Sequence, residues 1–428
     1  MHVTLLPAPP SIADGATTAD VIAWVATHLG DLTREGPEGV RAGAFRGGQS
    51  AADAALAALD ITGYARTRNT VLPVDRRGAS RISPYIRYGL TPLRQVWDAV
   101  ADAPTADRGK YRDELLWQEY ARHLYARVGG ANGEALRRRQ PHPDPAWADD
   151  PWPTEMACMA AVTGELHEDG WVVNQTRMWL ASQWAVRAGA DWRRGEDEMF
   201  AHLLDGSRAA NRLGWQWTVG TGSGKAYGFS RWQVEKRAPQ LCRSCPLNTR
   251  CPIQDWPKGQ LGPSVDGPEL SGVIPAGPAE VEGTGTDADT VWLTAESLGT
   301  SDPALAADDE RPAVFVFDAP LLARLRLSGK RLVFLAETLG ELAASRPVEV
   351  RRGSVVDELA GRPMAATWTP VPGWAERART LQPVEVHPWP WLVRPGPASL
   401  RSFSSWRRDL RITRAPATAR RGRAGSRR

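Results

Sequence analysis

The apolar period of this chain changes once, near residue 257, and that change divides it into two unlike units. Before the change, apolar residues recur at helical spacing. Tyr111, Leu115, Leu116, Tyr120 and Leu124 share one face of the segment 111–128. Thr91-Pro92 opens a further helix through Leu93, Val96 and Trp97, and segments 179–189 and 196–204 read alike. Strand-like alternation is scarce, so residues 46–256 read as an all-α domain. Residues 257–288 are rich in Gly and Pro, with little period, and read as a linker. Beyond them the pattern is short strands alternating with helices. The strands are Val291-Trp292-Leu293, 313–317, 348–350, 365–368 and 384–387; helices cover 321–326 and part of 328–344. That alternation predicts a doubly wound parallel sheet. The expected fold class is α+β multidomain: an all-α domain followed by a Rossmann-like α/β domain. The map is an N-terminal extension 1–45, a helical domain 46–256, a linker 257–288, an α/β domain 289–400 and an Arg-rich tail 401–428.

Composition narrows the function classes. Among 428 residues no run approaches the ~20 apolar residues of a membrane span, which excludes that class of protein. The first residues show no basic start and no long apolar stretch, so a cytoplasmic location is expected. Four cysteines are too few for a disulfide-built scaffold. The net charge of +4 hides an asymmetry: residues 401–428 carry ten Arg and one Asp, leaving the rest net acidic. Such a tail suits phosphate backbones, and also suits a simple solvated tail. Nineteen of the 33 aromatic residues are Trp, a composition compatible with stacking or electron transfer.

Four motif blocks carry chemistry. They are Gly78-Ala79-Ser80-Arg81-Ile82-Ser83-Pro84-Tyr85; Glu114-Leu115-Leu116-Trp117-Gln118-Glu119-Tyr120; Gly170-Trp171-Val172-Val173-Asn174-Gln175-Thr176-Arg177-Met178; and Asp205-Gly206-Ser207-Arg208-Ala209-Ala210-Asn211 leading to Trp215-Gln216-Trp217. In this order they resemble the FAD-binding domain of the DNA photolyase and cryptochrome family, over roughly residues 60–230.

The resemblance implies FAD as cofactor. Tyr64 and Ala79, Ser80, Arg81, Ile82 and Ser83 stand where the family holds the FAD phosphates, and Gln118 replaces an Arg that would meet them. Tyr111 stands at an aromatic that contacts the flavin. Asn211 matches the asparagine beside flavin N5. Arg177 and Asp205 match an ion pair against the isoalloxazine, with Gly206 next to it and Ser207 in place of a second acid. Ala79 replaces a Thr and Val173 a His. Backbone N–H groups dominate phosphate cradling, so FAD binding is expected to survive these changes.

The positions that surround a flipped cyclobutane pyrimidine dimer correspond to Glu114, Trp117, Asn174, Met178 and Trp217. Trp117 and Trp217 would stack on the lesion. Asn174 and a protonated Glu114 would donate to its carbonyls. Asn174 stands where a (6-4) enzyme would carry His, which points to cyclobutane dimers. Trp192 and Trp215 match two members of the family's tryptophan electron-transfer chain. The third is not evident, with Trp147 and Trp152 as candidates.

The cysteines form a second constellation. Cys242-x2-Cys245-x5-Cys251 is compact and Cys158 lies far upstream. Four thiolates suit a [4Fe–4S] cluster or structural zinc; free thiols are the third reading. The resemblance favours the cluster, because the iron–sulfur members of the family place one Cys before the Asn-containing block and three after the Trp-x-Trp block.

Segments 291–318 and 332–353 resemble the family's antenna domain, which there precedes the FAD domain. Here it follows, so the domain order reads as a circular permutation. No Gly-rich phosphate loop is evident, which makes a second antenna chromophore doubtful. The expected function is light-driven repair of cyclobutane pyrimidine dimers in DNA, by a monomer acting without a membrane. The alternative is a cryptochrome-like blue-light photosensor without repair.

Overall fold

The computed structural model of the chain describes residues 4–140, 150–256, 262–283 and 287–410. Trp147 and the tail 411–428 lie outside the described residues. Seven strands form one sheet: β1 (Thr4–Leu5), β2 (Glu282–Gly283), β3 (Thr290–Leu293), β4 (Ala313–Asp318), β5 (Val348–Gly353), β6 (Met364–Thr367) and β7 (Glu385–His387). Their order is β1-β5-β4-β3-β6-β7-β2. The five inner strands run parallel, while β1 on β5 and β2 on β7 are antiparallel. Counted from β3, the parallel order is third, second, first, fourth, fifth, the doubly wound arrangement. β3 and β6 are buried throughout, as strands covered on both faces must be.

Both ends of the sheet depart from the sequence reading. Residues 4–45 are no loose extension. β1 closes one edge, and helix α1 (Thr18–Leu29) packs its buried Val21, Trp24, Val25 and Leu29 inward. Thr17 and Asp20 cap α1 reciprocally. The segment read as a linker supplies β2, which closes the other edge. Two-residue strands have no measurable period, and their partners lie far away in sequence. Two helices, Val355–Leu359 and Pro372–Leu381, also escaped the sequence reading.

The helical unit is built around α2 (Thr105–Val128), α3 (Ala157–Asp169), α4 (Asn174–Ala181), α5 (Trp192–His202) and α6 (Arg208–Val219). α2 buries the predicted face of Tyr111, Leu115, Leu116, Tyr120 and Leu124. α6 starts on a Ser207 cap and stops at Gly220, whose φ of +87° a side chain would strain. Among the described residues no helix is long and apolar enough to cross a membrane.

One helix belongs to both units. α7 (Gly329–Ala343) is buried on nearly every face. Its Arg331 donates to the Phe200 carbonyl at 2.9 Å and the Gly206 carbonyl at 3.1 Å. Glu337 accepts from the Gly47 N–H at 2.7 Å. The charged residues of α7 thus satisfy main-chain groups of the helical unit, as burial between two layers requires. Helix α8 (Phe403–Asp409) ends the described chain and docks Trp406 against α2.

Candidate functional site

The Asp205–Asn211 block folds as a loop entering α6, and this places its polar groups inside the protein. Arg177, on α4, meets Asp205 at 2.7 Å between Nη2 and Oδ2. Arg177 Nε is fixed by the Val172 carbonyl at 3.0 Å. Asn211 Oδ1 accepts from the Ser207 N–H at 3.3 Å, and the Ser207 hydroxyl caps α6. Gly206 is held by its carbonyl, which accepts from Arg87 at 2.7 Å as well as from Arg331. What remains unpaired is informative. Asp205 Oδ1, Asn211 Nδ2 and Trp215 Nε1 are buried without a hydrogen-bond partner. Buried polar groups left bare are costly, so such a cluster suits a polar ligand.

The Ala79–Ser83 segment leads into the short helix Ser83–Arg87. Tyr111 Oη donates to Ser80 Oγ at 3.1 Å, and Trp171 Nε1 to Ser83 Oγ at 3.0 Å. Arg81 takes a φ of +56° and lies over the Phe45 and Trp171 rings. Ile82 is buried, and Ala79 packs at the edge of the core. Tyr64 meets Tyr111 edge-on at 4.9 Å. Burial pushes the Tyr111 hydroxyl up to about 12, so it acts as a neutral donor. Gln118 lies one turn past Glu114 on α2, half-buried. These groups fit an elongated, anionic cofactor whose polar atoms they would meet.

The lesion-facing set is partly assembled. Asn174 starts α4, exposed, with its Nδ2 4.0 Å from Met178 Sδ. Trp217 is 41% exposed and lies 5.5 Å from Tyr227. Two of its members already have partners. Glu114 accepts from Lys110 at 2.8 Å and lies 3.6 Å from Arg68. Both cations would have to give way before Glu114 could meet a lesion carbonyl. Trp117 is stacked face to face by Phe403 of α8, with centroids 4.0 Å apart and planes 14° apart. Sequence reasoning missed Phe403, because it lies 286 positions away in what read as a tail.

The tryptophan set also gains members. Trp215 and Trp192 are both fully buried. A Cβ at Gly195 would come within 2.4 Å of Trp215 and 2.7 Å of Trp184, so these two rings flank one glycine. Trp184 in turn meets Trp152 at 4.8 Å. Trp152 Nε1 donates to the Leu180 carbonyl at 2.9 Å.

Cys158, Cys242, Cys245 and Cys251 line one small cavity together with Met156, Arg231, Leu247 and Ile253. Burial pushes the Cys158 thiol up to about 12 and the Cys242 thiol to about 11. Four thiolates here therefore call for a bound positive centre. No three of the sulfurs lie within 4.8 Å of one another. A single tetrahedral zinc, with Zn–S near 2.3 Å, would draw them to about 3.8 Å.

A second, larger cavity of about 1200 Å³ opens between the units, at the C-terminal ends of β3, β4 and β6. Arg87, Arg122, Arg208, Arg212 and Arg377 line it with Trp374.

Comparison with known proteins agrees with this geometry. Residues 111–240 match the family profile described as the FAD binding domain of DNA photolyase. This segment of the chain is similar to that domain. A deoxyribodipyrimidine photo-lyase of Thermus thermophilus is 35% identical over 194 residues, covering 41% of this chain and 43% of the relative. That of Synechococcus is 32% identical over 167 residues, covering 34% and 33%. That of Escherichia coli is 33% identical over 171 residues, covering 36% and 35%. The chain thus spans less than half the length of these curated relatives. Among solved structures, a Synechocystis cryptochrome is 25% identical with a TM-score of 0.41, covering 46% of this chain and 44% of that one. A class III photolyase from Agrobacterium tumefaciens gives 24% and 0.38 over the same shares.

Proposed function

We propose that this chain binds FAD and repairs cyclobutane pyrimidine dimers in DNA under blue light. The observation that carries the proposal is the part-buried Arg177–Asp205 pair with the bare Asp205 Oδ1 and Asn211 Nδ2 beside it. When bound, FAD would supply light-driven electron donation to the dimer and take the electron back once the ring has opened, with no net redox change. The chain's own residues do the rest. Arg177, Asp205 and Asn211 would hold the polar edge of the flavin, and Ser80, Ser83 and Tyr111 the other end of the cofactor. Asn174 would donate to the dimer carbonyls, and Trp217, already exposed, would stack on an extruded base. Trp215, with Trp192 or with Trp184 and Trp152, would carry electrons from the protein surface.

Two further parts belong to the same proposal. The four cysteines hold an iron–sulfur cluster that ties α3 to residues 242–251. Replacing Cys242 by Ser should remove the iron; unchanged iron content would overturn this assignment. The α/β unit is an antenna-type domain placed after, rather than before, the FAD-binding domain. No Gly-rich phosphate loop stands in the sequence, yet the inter-unit cavity has the size and arginine lining for a second, anionic aromatic chromophore. Release of one chromophore besides FAD on denaturation would support that placement.

One observation favours a photosensor instead: Phe403 already stacks on Trp117. The deciding experiment uses purified, reduced protein with two oligonucleotides, one bearing a cyclobutane thymine dimer and one a (6-4) product, in blue light and in darkness. Light-dependent loss of the cyclobutane dimer establishes repair. Photoreducible bound flavin without loss of either lesion establishes the sensor.

A further inference from the structure

A cluster of metal-binding side chains lies at the seam between the units, away from the flavin residues and the cysteines. α3 contributes His167 near its C-terminus, and α5 contributes Glu198 and His202 one turn apart. One ligand atom from each lies within 4.8 Å of the other two, and among the described residues no other set does so. The two imidazole centroids are 4.4 Å apart.

Hydrogen bonding accounts for only part of this arrangement. His202 is only 7% exposed, yet its Nδ1 has no partner. His167 Nε2 is likewise buried and bare. Within the trio, His202 Nε2 lies 3.4 Å from Glu198 Oε1, a long contact at the edge of hydrogen-bond range. Three ligand atoms at such a separation are spaced for a shared ion rather than for one another.

The surroundings orient the ligands. Arg34 takes Glu198 Oε2 at 2.5 Å, which leaves Oε1 toward the histidines. Lys330 and Arg41 stand near His167, but both are committed to its main-chain carbonyl, at 2.7 and 3.0 Å. Glu35, held by the α7 N-terminus at Ser328 and Gly329, offsets Lys330. Arg34 and Glu198 line the large inter-unit cavity, which provides an entry path.

The geometry points to a divalent transition-metal site formed by His167, Glu198 and His202, with zinc as the best-suited ion. Two imidazoles and one carboxylate are the ligand set of open zinc sites, with a fourth position left for water. The ion would pin α3 to α5 directly under the first turn of α7. This site is separate from the cysteines and does not depend on flavin binding.

Cobalt(II) tests this with the full-length protein, because it reports its ligands. Thiolate ligands give intense near-ultraviolet charge transfer; a nitrogen and oxygen set gives visible d–d bands without it. The expected result is one equivalent of Co2+ bound with thiolate-free bands, displaced by Zn2+. His167→Gln and Glu198→Gln should each weaken binding about tenfold or more, as loss of a ligand requires. Glu168→Gln, on the same helix but exposed, should not. Added Zn2+ should also raise the melting temperature of the parent protein and of Glu168→Gln but not of His167→Gln, a readout that holds even where a variant is less stable. Binding with only thiolate bands, or binding that His167→Gln leaves unchanged, overturns the site.

Discussion

The helical unit and the α/β unit are finished differently. In the helical unit, many buried polar atoms lack partners, among them Asp205 Oδ1, Asn211 Nδ2 and Trp215 Nε1 of one motif block, and Trp179 Nε1 and both amide atoms of Gln183. In the α/β unit the polar groups at the strand ends are answered. Asp302 caps its helix and accepts from Thr367, and Arg311 reaches Glu385. The α/β unit leaves fewer such atoms bare, among them Ser301 Oγ, Trp374 Nε1 and Trp389 Nε1, than the helical unit does. The contrast also explains why the motif blocks lie in the helical unit, whereas the α/β unit reads mainly as period and burial.

The largest expected effect attacks that contrast directly. Arg177→Ala leaves Asp205 buried and uncompensated, so it should cost about 3–5 kcal/mol of stability. It should also cut flavin occupancy about tenfold or more. Urea melts and flavin absorbance per chain measure both. Arg352→Ala, on the α/β unit, removes the exposed pair with Asp31 and should cost no more than about 1 kcal/mol, with flavin retained. Equal losses at the two positions would dissolve the contrast. Next in size, Trp184→Phe should slow flavin photoreduction about tenfold if electrons pass from Trp152 through Trp184 to Trp215. Transient absorption checks this, and an unchanged rate with a slow Trp192→Phe would return the path to Trp192.

These predictions also show which features could be read from sequence. The parallel strands at 291–293, 313–317 and 365–368 were legible as short apolar runs bounded by turn residues, whereas those at 348–350 and 384–387 rest on one or two apolar residues between charged ones. Helix α2 was legible because its apolar residues keep one face over 18 positions. The Arg177–Asp205 pair was legible only through motif resemblance, since nothing in the spacing of those two residues predicts contact. Phe403 on Trp117, Trp184 beside Gly195, β1 on β5 and the His167–His202 approach were not legible. Each joins segments far apart in sequence or separated by a turn of unknown direction. The setting of Glu114 was half legible: Lys110 is one turn away on the same helix, but Arg68 arrives from another helix.

Acid tests the seam at which α8 meets α2. His123 is buried, with Trp406 Nε1 donating to its Nδ1 at 3.1 Å and its Nε2 2.8 Å from the Val393 carbonyl. That pattern needs the neutral ring, and burial, with Arg122 nearby, pushes the imidazole down to about 4. The folded value lies below the unfolded one, so the unfolded or undocked chain binds the extra proton. The contribution is full above about 6.5 and is lost as pH falls toward about 4, at most about 3 kcal/mol. Hydrogen exchange in 403–409 should rise over that window before exchange in the sheet does.

Phe403→Ala should leave the fold standing and give the most direct information on function. A stacked aromatic pair is worth about 0.5–1.5 kcal/mol beyond its buried area, so the fold should hold. What changes is the face of Trp117. If that face receives an extruded base during repair, Phe403 competes with it, and Phe403→Ala should tighten binding to dimer-containing DNA several-fold while leaving undamaged DNA unaffected. If Trp117 is only a docking point for α8, the variant should loosen α8 and leave both affinities unchanged. Binding measured in darkness separates the two, because neither flavin photochemistry nor turnover enters the comparison.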